Sequence, residues 1–319
     1  MKKFIYNTTN QILGVEYYNT SLSKIDPLCA AKETGEVGLV IIKNSQSTPE
    51  EFAEWSLEYG HHLSPDIWCT DKEHSELFWR VTNEKVDDNN QGLFGDYELD
   101  WHTNLTPVPD AEEVVGLYAK IISYPTETWF CNSIPYFKSL DSTTQSLYKK
   151  LKVILDPRRK LGKYQNTWEP KFEEIYDSKV FDDIRKNRNS RQIRNCINLE
   201  EHYTHLYKPA RGILEEHKFF PNHPLGTNGI FFTPFEIHKF KLNEQDYEHS
   251  ESLYWLLWND YVNGDYTYKH KWAEGDICLM DQLLTIHRRP SIIKTKPREL
   301  LRLACWYHNS IRQHYNYSL

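Results

Sequence analysis

Three short stretches of this sequence combine residue types that can do chemistry. The first is Asp100-Trp101-His102-Thr103-Asn104. On an extended strand alternate side chains share a face, so Asp100, His102 and Asn104 are expected to point together. A histidine followed two residues later by a carboxylate is a two-ligand clip for a divalent metal. Here an uncharged amide stands in the carboxylate's place, and a histidine hydrogen-bonded at a strand end is the plainer alternative. The second stretch runs from Gly275-Asp276 through Asp281-Gln282 to His287-Arg288. A Gly-Asp turn opens a strand there, and a histidine sits shortly after its end. The third is Arg298-Glu299-Leu300-Leu301-Arg302. On a strand, Arg298 and Arg302 share a face with Leu300 between them. An arginine pointing into a barrel needs an anion, because burying an unpaired guanidinium is costly. Its planar fork matches a carboxylate. A structural ion pair is the alternative for either arginine.

These groups need elements to position them. Residues 36–43, rich in β-branched side chains, read as a buried strand. Thr48-Pro49-Glu50-Glu51 marks the start of a helix that ends at Gly60. Residues 76–100 read as irregular. Val114 to Ile122 is a strand, and Ile134 to Leu151 a helix. Residues 156–228 carry basic clusters (Arg158, Arg159 and Lys160; Arg185 to Arg194) and read as a long insertion or lid. Those arginines suit a solvated face, an anionic substrate or an acidic carrier protein. Gly229 to Thr233 is a strand, Glu251 to Tyr261 a short helix, and Tyr266 to Trp272, Asp276 to Asp281 and Leu300 to Tyr307 are strands. This order predicts a mainly β fold with flanking helices, a sandwich or barrel.

Composition sets the outer limits. A chain of 319 residues suits two domains or one elaborated domain. With 39% hydrophobic and 14% aromatic residues it can bury a sizeable core, which excludes global disorder. No long uncharged apolar run is present, so no membrane span is expected. A formal net charge of −7 argues against nucleic-acid binding. The N-terminus lacks the apolar core of a signal peptide, and the six cysteines form no C-x-x-C pair, so a cytoplasmic location with free thiols is expected.

Taken together, the three stretches resemble the taurine dioxygenase-like (TauD/TfdA) family of Fe(II)/2-oxoglutarate-dependent oxygenases. Trp101-His102-Thr103-Asn104 is similar to its W-H-T-D clip. Leu117-Tyr118-Ala119 with Glu127-Thr128-Trp129 is similar to its L-Y-A … D-T-x-W segment. Gly275-Asp276 through His287-Arg288 is similar to its G-D-x-x-x-x-D-N-x-x-x-x-H-R segment, with Asp281-Gln282 where Asp-Asn is usual. Arg298 follows His287 by eleven residues, and Gly38 to Ile42 with the Thr-Pro-Glu-Glu helix resembles the family's opening. The resemblance implies one domain over 1–319, a double-stranded β-helix (jelly-roll, cupin-like) barrel. It implies Fe(II) on His102, Asn104 and His287. It implies 2-oxoglutarate held by Arg298 and Thr128, and an anionic substrate group on Arg302. The implied chemistry is oxidative decarboxylation with O2, giving an Fe(IV)-oxo species that hydroxylates a small molecule.

Asn104 stands where the family has aspartate, and four readings follow. The amide oxygen binds iron; the protein is an inactive or engineered 2-oxoglutarate-binding variant; Asp100 supplies the carboxylate; or the site is open for chloride, as in related halogenases. For the substrate, Glu98 and Arg302 together suit an amino acid or similar zwitterion, free or bound to a carrier protein. Trp101 and Phe232 are candidate walls of the pocket, alongside the alternative that they are core.

Overall fold

The computed structural model describes residues 1–63, 69–86, 89–94, 98–104, 112–155, 215–234 and 236–312. The basic clusters between residues 158 and 194, and the expected insertion up to residue 214, lie outside the described residues.

Strands β1 (Lys2–Tyr6) and β2 (Ile12–Tyr18) form a hairpin, followed by helix α1 (Pro27–Val37) and β3 (Leu39–Lys43). The strand expected from residue 36 thus starts at Leu39. Asp26 and Pro27 begin a helix that runs on to Val37, and Gly38 closes it at φ 81°, a conformation costly for any residue with a Cβ. Helix α2 (Pro49–Tyr59) starts as expected, with Thr48 and Glu51 in a reciprocal capping box.

Next come β4 (Gly60–His62), β5 (Trp79–Thr82), β6 (Lys85–Val86), β7 (Asn89–Asn90), β8 (Leu99–His102), β9 (Val114–Ile122) and β10 (Glu127–Asn132). Four short strands therefore interrupt the stretch read as irregular. The helix expected over Ile134 to Leu151 is instead α3 (Ser133–Ser139), α4 (Ser142–Tyr148) and β11 (Leu151–Leu155). The break lies at Asp141, whose carboxylate accepts the N–H groups of Thr143 (2.8 Å) and Thr144 (3.0 Å) and so caps a new helix.

β12 (Glu215–Lys218) precedes the Gly229–Thr233 stretch, which is not a strand. The Ile230 N–H donates to Ser133 Oγ (3.0 Å) and the Phe231 N–H to the Phe219 carbonyl (2.7 Å), single crossings with no ladder. The chain continues through β13 (Ile237–Leu242), β14 (Gln245–Asp246), α5 (Ser250–Leu257), β15 (Thr267–Lys271), β16 (Ile277–Asp281), β17 (Thr285–Arg289) and β18 (Arg298–Tyr307).

One sheet runs β1-β2-β3-β16-β9-β18-β4, with β5 also on β18, and a second runs β15-β10-β17-β8. All these pairings are antiparallel except β2 with β3. A third sheet, β12-β11-β13-β14, stands beside them. Strict alternation divides the large sheet's two faces. Val40, Ile42, Ile277, Leu279, Leu301 and Leu303 pack outward against Phe52 and Ala30 of the helices. Leu39, Ile41, Cys278, Met280, Leu117 and Leu300 point inward and meet Phe130 of the second sheet. The outward face of the second sheet, with Cys131 and Ile286, packs on the α3, α5 and third-sheet core. These two largely antiparallel sheets, closed over a shared interior, form the double-stranded β-helix, and Arg298 and Arg302 are on its inward face.

Candidate active site

β17 pairs with β10 on one side and β8 on the other, in a register that sets His287 directly opposite both Phe130 and His102. The two imidazole rings lie with centroids 4.2 Å apart and their planes inclined at 48°. His102 Nδ1 donates to the Asp100 carbonyl, so its lone pair is on Nε2, the nitrogen available to a metal. Asn104, two residues on, is 7% exposed and lines the same cavity. That cavity takes in both histidines, Asn104, Thr128, Arg289, Arg298 and Arg302. Two imidazoles and an amide oxygen are a chemically suitable donor set for Fe(II). Among the described residues no group of three His, Cys, Asp or Glu side chains converges, as befits a set whose third member is an amide.

Asp100 does not join them. The register slips between His287 and Arg289, so Arg289 faces Leu99, and Leu99 rather than Asp100 lines the cavity. The Asp100 carboxylate lies 3.9 Å from Arg288 Nε. Burial raises its pKa, against the pull of Arg288. The chloride reading fits poorly as well, because Asn104 fills the place that reading needs empty and is hydrogen-bonded there to Gln282.

The other end of the cavity holds two buried arginines, Arg298 and Arg302. Arg298 is 2% exposed, its Nε has no partner, and no carboxylate among the described residues pairs with it. Burial, and then the charge of Arg289, push its pKa down to about 9. Thr128 also lines this cavity, and its Oγ1 accepts the indole N–H of Trp272 at 2.8 Å. The hydroxyl hydrogen of Thr128 is thereby left to donate to a ligand. Arg302 differs from Arg298. Its guanidinium is paired with the buried carboxylate of Glu112 and lies 4.6 Å from the Trp79 ring centroid.

The sequence profile of the taurine catabolism dioxygenase TauD, TfdA family matches residues 14–304. The chain belongs to this dioxygenase family. Among solved structures, a taurine dioxygenase from Burkholderia xenovorans is similar at 16% identity and a TM-score of 0.62, over 95% of this chain and 88% of that one. AAD-2, in complex with Mn(II) and N-oxalylglycine, is similar at 14% identity and a TM-score of 0.61, over 95% and 96%. PvcB of Pseudomonas aeruginosa follows at 11% identity and a TM-score of 0.59, over 95% and 90%. At such identities these likenesses show the fold. No curated protein sequence matches the chain.

Not every residue predicted for the family's site reaches the cavity. Glu98 is exposed and paired with Arg288 outside it. Trp101 lies on the opposite face of β8 from His102, 4% exposed, in the core cluster that also holds Phe232. Both aromatic residues are therefore core, the alternative named for them. Sequence reasoning missed Arg289, which strand alternation from His287 would have found. It also missed Glu112, Trp272 and the contact of Gln282 with Asn104, which become neighbours of the site only through folding. The turn that presents Gln282 is held by Asp281. Its Oδ1 accepts the N–H groups of Leu283 (2.8 Å) and Leu284 (2.9 Å). Its Oδ2 accepts from Tyr307 (2.6 Å) and from Nε2 of His223 (2.7 Å).

Proposed function

We propose that this chain is an Fe(II)- and 2-oxoglutarate-dependent oxygenase that oxidises, most simply hydroxylates, a small molecule. The observation that carries the reading is Arg298, a fully buried guanidinium at a cavity wall with no carboxylate partner among the described residues. Such a group calls for an anionic ligand, and the distal carboxylate of 2-oxoglutarate fits it. Thr128 adds a neutral donor to that carboxylate, and Trp272 fixes the hydroxyl's orientation. His102, Asn104 and His287 would hold the metal. Bound iron supplies the activation of O2 coupled to decarboxylation of 2-oxoglutarate. Leu99, Leu117 and Met280 give the cavity apolar walls that limit water around the reacting groups.

For the substrate, Arg302 supports a group that accepts hydrogen bonds, with Glu112 already balancing most of its charge. The amino-acid reading keeps only this half of its support, because Glu98 is engaged by Arg288. A screen of small acids and amides for substrate-stimulated succinate release, with Fe(II), 2-oxoglutarate and O2 present, tests the class. Calorimetry of 2-oxoglutarate on the Mn(II)-loaded protein tests the assignment of Arg298. Arg298→Met is expected to weaken binding at least about a hundredfold, in line with the loss of a charged, buried hydrogen-bonding partner. Unchanged binding would overturn the reading.

A further inference from the structure

Asn104 and Gln282 both differ from the residues usual in the motifs they resemble, and the two side chains touch. Gln282 sits in the turn after β16, 2% exposed. Its Oε1 accepts both the backbone N–H of Asn104 (3.0 Å) and Nδ2 of Asn104 (3.1 Å). Its Nε2 points to the Met280 carbonyl at 3.4 Å, and its own backbone N–H donates to the Glu113 carbonyl at 2.8 Å.

The chemistry of this contact restricts what position 104 can be. A backbone N–H can only donate, so it requires Gln282 to present oxygen. That same oxygen then faces side chain 104. A carboxylate there would set oxygen against oxygen. Turning the Gln282 amide over would suit the carboxylate, but it would bring Nε2 against the backbone N–H and give up the contact to Met280. An amide at 104 meets no such conflict. Its Nδ2 satisfies Gln282 and its Oδ1 remains as the acceptor for the cavity.

We propose that Gln282 is a positioning residue that makes the site select a neutral amide at position 104 and directs Asn104 Oδ1 to the metal. The inference rests on the reading of His102, Asn104 and His287 as the metal holder. The third ligand is then a built amide and not a carboxylate that was lost. His102, Asn104 and His287 carry no negative charge, so the cosubstrate anion would supply that compensation to the bound metal.

The test is Mn(II) binding to the full chain without cosubstrate, followed by the resonance of unbound Mn(II), with a melting curve for every variant. Gln282→Met removes the acceptor and is expected to weaken binding about tenfold or more, the usual effect of losing a group that orients a ligand. Gln282→Glu keeps an acceptor for both N–H groups and is expected to bind at least as tightly as the wild type. Asn104→Asp is expected to gain less than about threefold beside Gln282, but about tenfold or more when made in the Gln282→Met background. A Gln282→Met protein that melts earlier yet binds Mn(II) within about twofold of wild type overturns the positioning role. If Gln282→Met does not fold, the Gln282→Glu and Asn104→Asp variants decide. Weaker binding in Gln282→Glu overturns the positioning role, and a gain of more than about threefold in Asn104→Asp beside Gln282 overturns the selection of an amide. His102→Ala with undiminished Mn(II) binding overturns the metal reading itself, an outcome separate from both.

Discussion

Replacing Arg298 by methionine should strengthen the empty protein while removing its ability to hold the cosubstrate. The guanidinium is buried in an interior that contributes no carboxylate to it among the described residues. Its pKa falls from the ordinary arginine value to about 9, with burial the largest cause. At about 1.4 kcal/mol per pKa unit, keeping the charge there costs on the order of 5 kcal/mol. Methionine removes that cost, keeps much of the side-chain volume and leaves intact the backbone N–H donated to Asn83 Oδ1 at 2.9 Å. Imperfect packing and the loss of water contacts offset part of the gain, so a net stabilisation of about 1–3 kcal/mol is expected. In a chain of this length that corresponds to a rise in Tm of roughly 2–10 °C. In the wild type, 2-oxoglutarate at about 100 times its Kd should add about 2.7 kcal/mol with Mn(II) present. The variant should show none of this. The lead of the variant in Tm should therefore shrink or reverse when 2-oxoglutarate is added. A variant that melts earlier than wild type when empty, yet is still stabilised by 2-oxoglutarate, would refute the assignment of Arg298 as an anion site waiting for its ligand.

Three further outcomes are expected. Thr128→Val should lower 2-oxoglutarate affinity about tenfold and destabilise the fold by about 1 kcal/mol through the orphaned Trp272 N–H, with Thr128→Ser restoring both in calorimetry and melting. Glu112→Gln should cost roughly 2–3 kcal/mol in denaturant unfolding, because it leaves the Arg302 charge buried without its counterion, while 2-oxoglutarate affinity stays within about twofold. Binding of 2-oxoglutarate should be level below pH 9 and weaken above it. An anion favours the charged guanidinium and raises its pKa from about 9 when bound, so the affinity is fully present below that value and is lost as pH rises through it. A calorimetric titration that stays flat to pH 10.5 would count against this linkage, a limit set about one and a half units above the shifted value.

Much of the fold and part of the site could be read from local sequence. The Thr48 capping box and the alternating strands of the barrel follow from nearest-neighbour geometry along the chain, whereas His102, His287 and Arg298 were brought together only by the resemblance of their motifs to the family's. Alternation also put Arg298 and Arg302 on one face correctly. The same rule failed at Asp100, where a slip in register between β17 and β8 replaced it by Leu99. It failed again over Ile134 to Leu151, where the Asp141 cap divided one expected helix and the following strand took the rest. What each arginine meets was decided only by folding: Glu112 is 190 positions from Arg302, and no carboxylate among the described residues reaches Arg298. The Asn104 amide likewise acquires its meaning from Gln282, 178 positions away. Periodicity determines which way a side chain points within its own element. Whether that direction leads to a counterion, a hydrogen-bond acceptor or neither depends on how distant strands register, and that is set by the packing of the whole barrel.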